Sequence, residues 1–165
     1  TVDRETLEPQ FATQTSFLGL LTATPAVIPY LIEKFPDASW TLRPAPAEWA
    51  LTEVLCHLRD TDREVNQPRL ERLRAEAEPF IPARDTNAWA DERNYLGQDG
   101  RTALSDFQAA RLELLGGLQQ LSEAEWGRKA RHSIFGPTTL QETVRFMAEH
   151  DRLHIRQIWK ITHPS

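Results

Sequence analysis

The strongest constraint in this chain is its hydrophobic rhythm: apolar residues recur at helical spacing in four long segments, and strand-like alternation is almost absent. The first segment runs from about Phe11 to Phe35. Inside it, Thr24-Pro25 has the form of a helix cap followed by proline in the first turn, so two helices or one kinked helix are expected. Pro36 and Asp37 end it, and Pro44 and Pro46 make Trp40 to Trp49 an extended connection. The second segment, Leu51 to about Ala77, carries Val54, Leu55, Leu58, Val65, Leu70 and Leu73, with Pro68 expected to kink or interrupt it. A long connection from Glu78 to Gly100 follows. Connections of that length are usually functional or partly structured, and a short helix is expected near Thr86 to Arg93. The third segment, Thr102 to Leu121, has a broad apolar face weakened by Gly116 and Gly117. The fourth, Leu140 to Ile161, opens with Thr139 and Glu142 at capping-box spacing. Four amphipathic helices and no strands predict an all-α fold, a four-helix bundle forming a single domain over residues 1–165.

Composition narrows the function classes. Hydrophobic residues at 40% and charged residues at 26% belong to a globular chain rather than a disordered one. No apolar run approaches the roughly 20 residues that span a bilayer, and no basic region followed by an apolar stretch marks a leader. The single cysteine, Cys56, excludes an internal disulfide framework and fits a reducing cytoplasm, which is the expected location. A net charge of −5 argues against nucleic acid as partner. Arg69, Arg72 and Arg74 are interrupted by Glu71, Glu76 and Glu78, and read as a solvated helix face.

Chemistry is concentrated in Glu149-His150-Asp151-Arg152-Leu153-His154. Residues four apart on a helix lie on one face, about 6 Å apart along the axis. His150 and His154 can therefore present their imidazoles to one point, the spacing used for metal chelation. Thr143, Met147, Gln157 and Ile161 share the stripe, which is apolar enough to turn the pair toward the core. From the pair alone, a metal site and two hydrogen-bonded core histidines are equally good readings. A zincin requires glutamate directly after the first histidine, and Asp151 stands there. A di-iron bundle requires Glu-x-x-His on two helices, which this chain lacks. A single ion with a third ligand from another helix remains, and His57 on the second helix is the natural candidate. Asp60 and Glu64, one and two turns later, could orient a ligand. Cys56 points about 100° away from His57 and reads as an inert core thiol.

With these segments in view, the chain resembles the DinB-like superfamily of damage-inducible proteins and thiol-dependent transferases. The resemblance runs from Arg43-Pro44-Ala45-Pro46-Ala47-Glu48-Trp49 into Glu53-Val54-Leu55-Cys56-His57-Leu58-Arg59-Asp60. It continues through Asp85, Trp89, Glu92 and Tyr95, then Gly136-Pro137-Thr138-Thr139-Leu140, and ends in Ala148-Glu149-His150-Asp151-Arg152-Leu153-His154-Ile155-Arg156-Gln157-Ile158. The resemblance implies a bundle with an open three-histidine site on His57, His150 and His154. The chain departs from the pattern at Ala50, where the family commonly has a serine capping the second helix.

Three neutral imidazoles leave positions open on one divalent ion, with zinc as the default and nickel, iron or manganese compatible. The leading expectation is a metal-dependent enzyme acting on a small molecule, either a hydrolase or a transferase that activates a low-molecular-weight thiol. Asp60 and Gln157 are candidates to orient ligands or touch substrate, and His132 is a candidate acid or base at the mouth. Metal affinity is expected to fall as pH drops through the histidine range. Trp49, Trp89 and Tyr95 either line a pocket or plug the core, while Trp126 and Trp159 read as core or dimer contacts. A homodimer is what the resemblance implies. The contrasting class is a non-enzymatic stress-associated binding protein whose metal is structural or vestigial.

Overall fold

The computed structural model describes residues 13–164; the expected helix start at Phe11 lies outside them. Four long helical stretches build the bundle: α1 (Gln14–Ile32), α2 (Leu51–Thr61) continued by α3 (Gln67–Ala75), α5 (Gly100–Gln119) and α7 (Leu140–Thr162). Two single-turn helices, α4 (Trp89–Glu92) and α6 (Glu123–Trp126), lie in the connections. The Thr86 to Arg93 helix of the sequence reading thus shrinks to one turn.

Helix starts follow their caps. Thr13, Asp99, Ser122 and Thr139 each accept a backbone N–H three residues on, and Glu142 returns the bond to Thr139 at 2.8 Å. Ala50 has no such oxygen, so α2 keeps half of a capping box, the 2.8 Å bond from Ala50 N–H to the Glu53 carboxylate. Of the two anticipated breaks, the one at Pro25 does not occur, whereas the one at Pro68 is marked by a local change of helix type. α1 runs unbroken through Pro25 and Pro29. Between α2 and α3, Asp62–Asn66 forms a π-helical turn just before Pro68. Gly117 belongs where it is, because a Cβ there would stand 2.9 Å from Leu70 Cδ2, whereas Gly116 has open space.

The expectation of no strands is corrected by a small three-stranded sheet: β1 (Phe80–Ile81), β2 (Lys129–His132) and β3 (Gly136–Thr139). β2 and β3 form a hairpin that pairs His132 with Gly136, and Gly136 takes φ +70°, a conformation suited to glycine. β1 joins β2 in parallel. Strands of two and four residues are too short to print an alternating pattern.

The core divides into two apolar clusters. One gathers Ile28, Leu55, Tyr95, Phe107 and Ile158, the other Phe17, Leu21, Leu70, Leu114, Val144 and Met147. On every long helix buried polar residues interrupt the apolar core: Thr24 on α1, His57 and Asp62 on the α2–α3 stretch, Arg111 on α5, Asp151 on α7. A polar layer therefore crosses the middle of the bundle. α1 is, by length and composition, apolar enough to cross a membrane, which qualifies the sequence reading; here one face, with Phe17, Leu21, Ile28 and Ile32, is buried.

Candidate metal centre

The three histidines predicted from two separate segments meet inside this layer. α2 is buried from Leu51 through Leu58, so His57 is only 2% exposed. His150 and His154 sit on successive turns of α7 and are half-buried. The Nε2 atoms of His57 and His150 stand 2.9 Å apart, and those of His150 and His154 3.1 Å. All three donor atoms lie within 4.8 Å of one another. Nitrogens at about 2.0–2.1 Å around a tetrahedral ion would be roughly 3.3 Å apart, so the donor set fits one divalent ion with little movement. The Gln157 amide oxygen accepts the His154 Nδ1 proton at 2.8 Å, which leaves the Nε2 lone pair free toward the cluster. His57 Nδ1 is buried without a hydrogen-bond partner of good geometry, although the Thr86 backbone lies near enough to act on its titration.

Electrostatics keep these imidazoles neutral. Burial, reinforced by the neighbouring His154, pushes His57 down to about 3 against the opposing charge of Asp60. Burial and the two other histidines hold His150 well below the ordinary value, with Arg111 adding to the effect. Burial also lowers His154, against Gln157 and Asp151. A neutral imidazole is the metal-binding form.

A cavity of about 620 Å³ opens beside His154, with Trp49, Gln157, Arg156 and Lys160 among its walls. Trp49 packs on the cluster, its ring centroid 4.9 Å from that of His57 and stacked at 6.3 Å on His154. The pocket reading therefore holds for Trp49. Tyr95 and Trp89 are buried in the core instead, and Arg93 stacks on Trp89 at 3.8 Å. Trp126 is a core residue, and Trp159 is half exposed against His163 at 3.7 Å.

Of the remaining candidates, Gln157 lies at the cluster and Asp60 lies behind it. The Asp60 carboxylate accepts from Arg59 at 2.6 Å, Arg93 at 2.8 Å and Tyr95 at 2.8 Å. Despite burial, these donors hold its pKa below the usual carboxylate value. Glu64 completes the group with a two-pronged bond to Arg93 at 2.6 and 3.0 Å. These bonds fasten the long connection to α2. His132 lies on β2, where its Nδ1 accepts from the backbone of Ile134 at 3.2 Å and its ring packs on Phe135. It is not part of the histidine cluster. Cys56 is buried, its thiol pushed up to about 11 chiefly by desolvation.

Sequence reasoning missed the support beneath the site. Arg111, fully buried, donates to Asp62 at 2.7 Å, to both oxygens of Asp151, and to the Leu21 carbonyl at 3.0 Å. Asp62 follows His57 by five residues and Asp151 directly follows His150. One guanidinium thus ties together the two helical stretches that carry the histidines. Its signal was an arginine on the apolar stripe of α5, four residues after Phe107.

Fold and donors together define a helical bundle with a three-histidine centre open to one side. The DinB superfamily pattern matches residues 20–158, and the chain belongs to that superfamily. Among its relatives is the uncharacterized protein YuaE of Bacillus subtilis (strain 168), 24% identical over 136 residues that cover 76% of this chain and 84% of YuaE. Among solved structures it is similar to YfiT from Bacillus subtilis, described as a probable metal-dependent hydrolase with an unusual four-helix bundle topology. That likeness has a TM-score of 0.79 at 20% identity and covers 94% of this chain and 91% of YfiT.

Proposed function

We propose that the protein is a metal-dependent hydrolase of small molecules, holding one divalent ion, zinc by default, on His57, His150 and His154. The observation that carries this reading is a cluster of three neutral, inward-turned imidazoles, one of which, His154, lines a cavity of about 620 Å³, within the size range of small-molecule sites. Bound there, a divalent ion would polarise a substrate oxygen and acidify a water in its open position. The protein's own residues do the positioning. Gln157 fixes the His154 ring, and its amide also borders the cavity, where its N–H groups can meet a substrate carbonyl. Trp49 closes one flank of the cluster against water. Asp60 is engaged by three donors, so its role is to hold the cavity wall rather than to take a proton. The description of YfiT supports the reaction class.

The test is zinc loading, desalting and elemental analysis of the five single His→Ala variants. His57→Ala, His150→Ala and His154→Ala should lose the metal, while His132→Ala and His163→Ala keep it. Retention in His57→Ala, or equal loss in all five, rejects the site. Loaded wild type should then hydrolyse activated esters or amides without added thiol. Turnover that requires a small thiol would replace hydrolysis with group transfer, and equal turnover by stripped protein would remove the metal from the reaction.

A further inference from the structure

A second cavity touches the histidine cluster through His150. Its volume is about 190 Å³, room for about six waters at roughly 30 Å³ each and too small for a whole substrate. Its walls include Arg69, Arg84, Thr61, Thr143 and His150.

The polar groups here are mismatched. Thr61 is 7% exposed, and its hydroxyl is buried with no hydrogen-bond partner. The Arg69 guanidinium donates to the Pro82 carbonyl at 3.2 Å, and among the described residues it pairs with no carboxylate. Burial lowers its pKa, and the like charge of Arg84 lowers it further. Arg84 donates to the Glu64 carbonyl at 3.1 Å and stacks over Trp89 at 4.7 Å. The Glu64 carboxylate stands 3.8 Å from Arg84 and is already held by Arg93 at 2.6 and 3.0 Å. Each guanidinium has five N–H donors, so both keep donors to spare. A buried hydroxyl without a partner is unfavourable, and the like charge of Arg84, itself exposed and 3.8 Å from the Glu64 carboxylate, still bears on the inward-lying Arg69. One occupant relieves both: an anion that accepts from Thr61 and from the two arginines.

We propose that this cavity is an oxyanion subsite, bound by Arg69, Arg84 and Thr61, that takes a phosphoryl group carried by the substrate. Three donor side chains on different elements suit a tetrahedral group better than a planar carboxylate. The substrate role rests on the proposed metal centre. Anion binding itself does not, and the test separates them.

Inorganic phosphate is titrated calorimetrically into chelator-stripped full-length protein, against chloride at matched ionic strength. Saturable binding is expected, weakened about tenfold or more in Arg69→Met and in Arg84→Met, as for loss of a charge-assisted bond. Thr61→Val should weaken it about threefold without lowering the melting temperature, since it removes an unpartnered buried hydroxyl. A merely structural Thr61 would not give that pair of results. If Arg69→Met fails to fold, Arg84→Met and Thr61→Val decide the question. All three variants should keep the zinc content of wild type, which is lost only if the metal centre itself is wrong. Methyl phosphate should bind nearly as well as phosphate; its rejection would overturn the substrate role. No binding by stripped wild type, binding only after zinc loading, tighter binding of acetate than phosphate, or unchanged binding in the arginine variants would overturn the subsite.

Discussion

Replacing Arg111 by Met tests whether its guanidinium holds the buried polar layer beneath the histidine cluster together. Methionine keeps an apolar stem of similar reach and deletes the guanidinium. The Asp62 and Asp151 carboxylates, each 1% exposed, would then face one another, with Asn66 left as a donor to Asp62 at 2.8 Å. The Leu21 carbonyl would also lose its partner. Breaking a buried ionic cluster on one side costs about 3–5 kcal/mol. At about 2–4 °C per kcal/mol for a chain of this size, the melting temperature should fall by about 6–20 °C at pH 7. Burial already raises the Asp62 carboxyl above its ordinary value despite Arg111. Without the guanidinium it rises further, so the folded variant holds a proton that the unfolded chain releases. When the native state binds more protons, stability increases as pH falls. The deficit should therefore shrink between pH 7 and pH 5. Calorimetric melts of metal-free wild type and variant across that range read both effects. A loss under about 2 °C at pH 7, far below the cost of an exposed buried charge, would refute the reasoning. So would a deficit that grows on acidification.

Three further outcomes are expected. Gln157→Leu removes the acceptor on His154 Nδ1 and should weaken zinc binding about 10- to 100-fold, as loss of a ligand-orienting bond does; competition with a chelating dye that shows no change would sink it. Because burial pushes His57 down to about 3, protons compete for its nitrogen only well below the ordinary histidine range, so dialysis at pH 5 should leave zinc bound. For the metal-free protein the sign is fixed: His57 titrates lower when folded, so its contribution to stability is present above pH 6.5 and is lost as pH falls toward 3. Ala50→Ser should raise stability by about 0.5–1 kcal/mol by completing the capping box that Glu53 half makes; a lower melting temperature would show that this fully buried position has no room for an oxygen.

The bundle and the histidine pair on its last helix were legible because both are periodic. Leu104, Phe107, Leu114 and Leu118 announce a helix face, and His150 with His154 announces a chelating pair on one. His57 was only a candidate by elimination until the family pattern was added, because a lone histidine on an apolar helix has no periodic partner. The sheet was illegible: β1 has two residues, and its pairing with β2 spans some fifty residues of chain. Arg69 shows another limit. Its neighbours Arg72 and Arg74 do lie on the solvated face, paired with Glu76 and Glu125, but Arg69 turns inward to a cavity. Three arginines in six residues look alike in sequence, and a rotation of about 100° per residue separates their fates.

Prolines show where local rules were outweighed. Each of Pro25, Pro29 and Pro68 lies within a continuous helical stretch, and each lacks the N–H that would bond the carbonyl four residues back. Those carbonyls belong to Leu21, Pro25 and Glu64. Each is taken by a side chain from another part of the chain: Leu21 by Arg111 at 3.0 Å, Pro25 by Gln108 at 3.0 Å, and Glu64 by Arg84 at 3.1 Å. The Leu21 carbonyl is buried, and leaving it without a partner would cost about 1–3 kcal/mol, so α5 satisfies the gap left by Pro25, while Gln108 and Arg84 cover the other two nearer the surface. In return, each vacancy becomes an attachment point that an unbroken helix would not offer. The first joins α1 to the guanidinium that ties the α2–α3 stretch to α7, and the last anchors the arginine beside His150. Pro25 and Pro68, which read as breaks in the helices, are therefore among the positions where the helices are joined around the histidine cluster.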